Sequence, residues 1–156
     1  MNRLGHTQRE LYAEEDGKLP RGVRAQTATV YADDDMLVRM LSEVASAKRA
    51  WAVQLDIMMQ AEERPEQREA LRLIRLDDLQ HIKLLNILAH GSLGEDSTPE
   101  TPDGVIPYTR AAQLKLQSAE FVRRIYYNSA DTPTRDILFE IISDDTHNAI
   151  RFTMLL

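Results

Sequence analysis

Residues 41–89 read LSEVASAKRAWAVQLDIMMQAEERPEQREALRLIRLDDLQHIKLLNILA, and residues 108–156 read YTRAAQLKLQSAEFVRRIYYNSADTPTRDILFEIISDDTHNAIRFTMLL. Shifted by 67 positions, the two stretches overlay without a gap, and nine of the 49 pairs are identical. These are Ala45/Ala112, Lys48/Lys115, Ala52/Ala119, Arg68/Arg135, Leu71/Leu138, Ile74/Ile141, Asp77/Asp144, Asp78/Asp145 and Leu88/Leu155. Chance gives roughly three at ordinary residue frequencies. The interruptions fall together as well, at Pro65 in the first stretch and at Asp131-Thr132-Pro133 in the second. The pattern is that of a helical hairpin present twice.

Apolar residues spaced three and four apart predict four helices. The first, from about Met36 to Glu62, carries Leu37, Leu41, Val44, Ala45, Trp51, Ala52, Leu55, Met58 and Met59 on one face. Asp33, Asp34 and Asp35 precede it, as charges at a helix start should. The second spans about Glu66 to His90 with Leu71, Ile74, Leu85 and Leu88, and Gly91 is its stop signal. The third runs from about Tyr108 to Ser129, and the fourth from about Thr134 to Leu155, with Pro133 at its start. Hairpins 36–90 and 108–156 are joined by residues 91–107, which hold Gly91, Gly94, Gly104, Pro99, Pro102 and Pro107 and no helical period. A helix of 24 residues is about 36 Å long, and a connection of this size, when extended, can cross that distance. The expectation is an all-α, antiparallel four-helix bundle over residues 36–156, two hairpins with one long crossover. Residues 1–35, mixed in charge and poor in apolar side chains, are expected to form a flexible arm.

Composition narrows the function. The chain has 156 residues, 43% of them hydrophobic, enough for one domain with a real core. It contains no cysteine, which removes disulfides, thiolate nucleophiles and cysteine-bound metals. A net charge of −6 argues against nucleic acid as a partner. No apolar run reaches membrane-spanning length, and the N-terminus lacks an export core, so a cytoplasmic location is expected. No phosphate-binding glycine loop and no nucleophile–base arrangement stands out.

The informative residues are polar ones inside the apolar stripes. Lys48 interrupts the first stripe and Lys115 the third; Asp78 and His81 interrupt the second, Asp145 and Asn148 the fourth. Lys48 and Asp78 are equally far from position 63, in the first turn, and Lys115 and Asp145 from position 130, in the second. In antiparallel hairpins such residues lie level, so all six are expected in one central layer. Isolated charges there would be costly and must pair or bind something. Two lysines and two aspartates sum to zero.

Here the chain resembles the small ferritin-like, rubrerythrin-related proteins of bacteria. The resemblance covers about residues 36–156 and is clearest in Leu76-Asp77-Asp78-Leu79-Gln80-His81, in 135–139, and from Ser143-Asp144-Asp145 to Arg151-Phe152-Thr153. It implies a ferritin-like fold. It also implies a site of two iron or manganese ions, held by one Glu from each of two helices and Glu-x-x-His from each of the others. The lone glutamates fall on Lys48 and Lys115, the first Glu-x-x-His on Asp78 and His81, the second on Asp145 and Asn148. Only Asp78, His81 and Asp145 keep metal-binding chemistry, and a charged lysine offers a metal no acceptor. An alternative register would use Glu43, Glu120, Asp144 and His147. The expected role is a non-catalytic scaffold or binding module without a cofactor, held by buried Lys–Asp pairs and dimeric by family resemblance. The alternative is an iron or manganese oxidoreductase of rubrerythrin type acting on peroxide or oxygen.

Overall fold

The computed structural model describes residues 34–93 and 104–156. Residues 1–33 of the expected N-terminal arm and the middle of the crossover lie outside the described residues, whereas Asp34 and Asp35, expected at the end of the arm, already form the start of the first helix. Four helices follow in order: α1 (Asp34–Ala61), α2 (Pro65–Leu88), α3 (Tyr108–Asn128) and α4 (Thr132–Met154). No strand occurs among the described residues, and no helix there is long and apolar enough to cross a membrane.

The turn chemistry accounts for the ends. Pro65 opens α2, where its missing N–H costs nothing. His90 and Gly91 close that helix with positive φ angles of 51° and 76°, and the Gly91 amide donates to the Asn86 carbonyl at 2.9 Å. Asp131 caps α4: its side chain accepts from the Thr134 amide at 2.9 Å.

The helices pack as a bundle around two apolar clusters. One gathers Leu41, Val44 and Ala45 of α1, Leu85 of α2, Ala119, Val122 and Ile125 of α3, and Leu138, Ile141 and Ile142 of α4. The other gathers Leu55 and Met58, Leu71 and Ile74, Ala111 and Ala112, and Ala149 and Phe152. Each helix contributes its start to one cluster and its end to the other, so α1 and α2 are antiparallel, as are α3 and α4. Trp51 and Tyr108 flank Phe152, with ring centroids 6.1 and 6.2 Å away. At the same end, Tyr108 donates to the Glu62 carboxylate and Gln54 to the Gly104 carbonyl at 3.0 Å. Arg75 and Asp56 tie α2 to α1 across 2.8 Å.

Candidate functional site: a charged layer between two apolar clusters

Between the clusters every helix turns a polar side chain inward. Lys48, Asp78, His81, Lys115, Asp145 and Asn148 are all fully buried. These are the residues that interrupt the apolar periodicity, and the structure brings them into one layer.

The lysines and aspartates form a closed set. Lys48 Nζ donates to Asp145 Oδ1 and lies 3.1 Å from Asp78 Oδ1. Lys115 Nζ sits 2.6 Å from both oxygens of Asp78 and 3.5 Å from Asp145 Oδ1. The tighter partner of each lysine therefore belongs to the opposite hairpin. Ser118 completes Asp145 by donating to Oδ2 at 2.8 Å. Trp51, which occupies the matching position of the first hairpin, lies under the Lys115 ammonium, 5.0 Å from it.

A second set of bonds obeys the same symmetry. His81 Nε2 lies 3.1 Å from Asp144 Oδ2, and Asn148 Nδ2 donates to Asp77 Oδ2 at 3.1 Å. Under the 67-residue shift these two contacts interchange. Arg151 then bridges Asp77 at 3.1 Å and the side-chain oxygen Oδ1 of Asn148 at 2.8 Å, donating to both. These bonds connect the layer to the surface, for the Asp144 side chain is 39% exposed. His81 Nδ1 is the one layer atom without a hydrogen-bond partner; its nearest carboxylate, Asp78, is 4.0 Å away.

The alternative register does not come together. Glu43, Glu120 and His147 are exposed. Glu120 pairs with Arg123 at 2.6 Å, and His147 is bonded to the Ser143 carbonyl of its own helix at 2.9 Å. Asp144 reaches the layer only from its rim. The reason is rotation: each residue turns about 100° around a helix, so five residues take Glu43 well away from the direction of Lys48.

The pairing governs protonation. Burial pulls the Lys48 ammonium down, but Asp145 and Asp78 outweigh it and hold the group above its usual 10.5. Burial and the neighbouring Lys48 charge leave Lys115 below 10.5 despite Asp78 and Asp145. Burial would raise the Asp145 carboxyl; the two ammoniums, with bonds from Lys48 and Ser118, hold it below 3.8. The sign of the pH effect follows. A depressed carboxyl contributes stability that is complete above its unfolded value and is lost as pH falls through the folded one. On the alkaline side the two lysines act in opposite senses. The thermal midpoint is thus expected to hold through neutral pH and to fall below about pH 4. The fall should be smaller in K48M/D78L/K115M/D145L, and an identical acid profile in that variant would show that Asp145 is not its source.

Sequence reasoning missed Ser118, Asp77, Arg151 and the stacking of Trp51. Ser118 carried a usable signal, because the repeat aligns a small polar residue with a tryptophan of the apolar stripe. Compared with known proteins, the chain matches no family, no curated protein and no solved structure.

Proposed function

We propose that this chain is a ferritin-like bundle in which a neutral layer of ion pairs stands in place of two metal ions, and that it serves as a non-catalytic scaffold or binding module. The two clusters support the ferritin-like connectivity. Ala89, just beyond α2, packs into one cluster, whereas Ile106 and Tyr108, at the start of α3, pack against the other. The two described ends of the connection thus lie at opposite clusters, which supports the one-crossover connectivity of ferritin-like folds.

One observation carries the functional reading: both ammoniums are hydrogen-bonded to the carboxylates a metal would need. Ligand atoms of Asp78, His81 and Asp145 do lie within 4.8 Å of one another. Yet both Asp78 oxygens face Lys115, and Asp145 is held by Lys48 and Ser118. A cation among them would meet two fixed positive charges, and fixed ammoniums repel it at short range in a low dielectric. The donor set therefore does not fit a di-metal centre. The free Nδ1 of His81 favours a second reading, a single ion at Asp78, His81 and Asp145 in an oxidoreductase.

Metal content separates the two. The protein is exposed to ferrous iron, manganese or zinc, desalted and analysed by mass spectrometry. The ion-pair reading expects no retained ion. About one ion per chain, lost in His81→Ala, would favour the single-metal enzyme; about two would overturn the ion-pair layer altogether.

A further inference from the structure

We propose that the outer face of the second hairpin is a self-association surface, on which a second copy of this chain lays its α3 antiparallel to the first about a two-fold axis between residues 121 and 122. This goes beyond the scaffold reading and does not depend on it.

The repeat provides an internal comparison. The second hairpin exposes Leu116 (51%), Tyr127 (73%), Phe139 (61%) and Ile150 (53%). At the same four positions the first hairpin carries Arg49, Gln60, Arg72 and Lys83. Two hairpins of one origin, packed alike against the same core, thus differ in what they turn outward. Exposed apolar side chains gathered on one face mark an interaction site more often than scattered ones do. The first hairpin exposes apolar residues too, Leu73, Leu76 and Ile87 of α2, but at other positions, where the second hairpin carries Glu140, Ser143 and Met154.

The aromatic members of the patch connect across the two helices. Tyr127 meets Tyr126 edge-on at 5.5 Å, and Tyr126 lies 6.4 Å from Phe139, so the aromatic surface passes from α3 to α4. Arg135 covers the Tyr126 ring at 4.5 Å. Aromatic and arginine side chains in this arrangement are typical of interface centres.

Spacing identifies the occupant. Leu116, Glu120, Arg123 and Tyr127 follow one another at intervals of four, three and four, and so share one stripe of α3. That stripe is symmetric about its midpoint. A second α3 laid antiparallel on it sets Leu116 against Tyr127 of the other copy, and Glu120 against Arg123, twice over. An isologous two-fold contact demands this self-complementarity. Within one chain Glu120 and Arg123 only satisfy each other, at 2.6 Å, on the surface. The equivalent stripe of the first hairpin is Arg49, Val53, Asp56 and Gln60. The same pairing there would place Arg49 on Gln60 and Val53 on Asp56, with no apolar contact and no ion pair. Moreover, Asp56 is already engaged by Arg75.

Charge reversal tests the proposal on the full chain, by sedimentation velocity over a range of concentrations. The unaltered protein is expected to show a concentration-dependent dimer. E120R places arginine opposite arginine, and R123E glutamate opposite glutamate; each should weaken the dimer about tenfold or more. The swap E120R/R123E restores opposite charges and should restore the dimer. An equimolar mixture of E120R and R123E should form a heterodimer that neither forms alone. Leu116, Glu120 and Tyr127 are exposed and Arg123 is half-buried, and unaltered far-ultraviolet circular dichroism will show that the variants fold. A monomer at every concentration would overturn the proposal, as would a dimer indifferent to E120R or a swap that fails to recover association.

Discussion

Replacing Lys48 with methionine is expected to cost about 3–5 kcal/mol of folding stability, the usual penalty for removing one partner of a buried ion pair. The substitution takes the layer from neutral to a net charge of −1. Asp145 would keep only the Ser118 hydroxyl at 2.8 Å and the Lys115 ammonium at 3.5 Å. Asp78 would keep Lys115 alone. Denaturant unfolding would show the loss as a lower midpoint at an unchanged slope. An unchanged midpoint would mean that the lysine is not held as described. The counterpart is K48M/D78L/K115M/D145L, which removes all four charges together. Buried ion pairs replaced by apolar side chains of similar volume are commonly neutral to about 4 kcal/mol more stable. The Ser118 hydroxyl, freed by that change, can turn to a carbonyl of its own helix. The large single loss and the small combined change come from one cause: the cost lies in stranding a charge, not in lacking the pairs.

The second large effect is a gain. K48E/K115E returns carboxylates to the positions that the ferritin-like reading assigns to metal ligands. Without metal, the layer would hold four carboxylates and no cation, so the variant is expected to be unfolded or barely stable. With manganese or ferrous iron it should bind about two ions per chain, and its thermal midpoint should rise with metal concentration. Free metal at a hundred times the dissociation constant contributes about 2.7 kcal/mol per independent site. Asn148 limits the second ion. Its Nδ2 faces Asp77 and its oxygen accepts from Arg151, so K48E/K115E/N148H should bind more tightly. A pair of variants that stays unfolded at every metal concentration would sink the ferritin-like reading, whatever the unaltered protein binds.

The helices and the level of the charged layer are legible in the sequence for simple reasons. Pro65 and Asp131 fix the turns, and distance from a turn fixes height in an antiparallel hairpin. Height, however, does not say which way a side chain reaches. Lys48 and Asp78 are level within one hairpin, yet the closer partner of Lys48 is Asp145 of the other. That choice depends on how the hairpins face each other, which no spacing within either records. The same limit hides the contact of His81 with Asp144, a residue one step around the helix from the layer itself. Trp51 was readable as packing but not as the support of an ammonium. Its position only acquires that meaning once Lys115 is brought against it from α3.

The reciprocal pairing has a consequence for the hairpins taken singly. Each holds one lysine and one aspartate in its buried face, so each is electrically balanced by itself. Neither is satisfied by itself, because its tightest bonds run to the other. A hairpin cut loose would therefore offer a complementary face to any copy of itself or of its mate. The closed layer can form between chains as well as within one, and the covalent tether of the crossover, by holding the proper mate at high local concentration, favours closure within a single molecule.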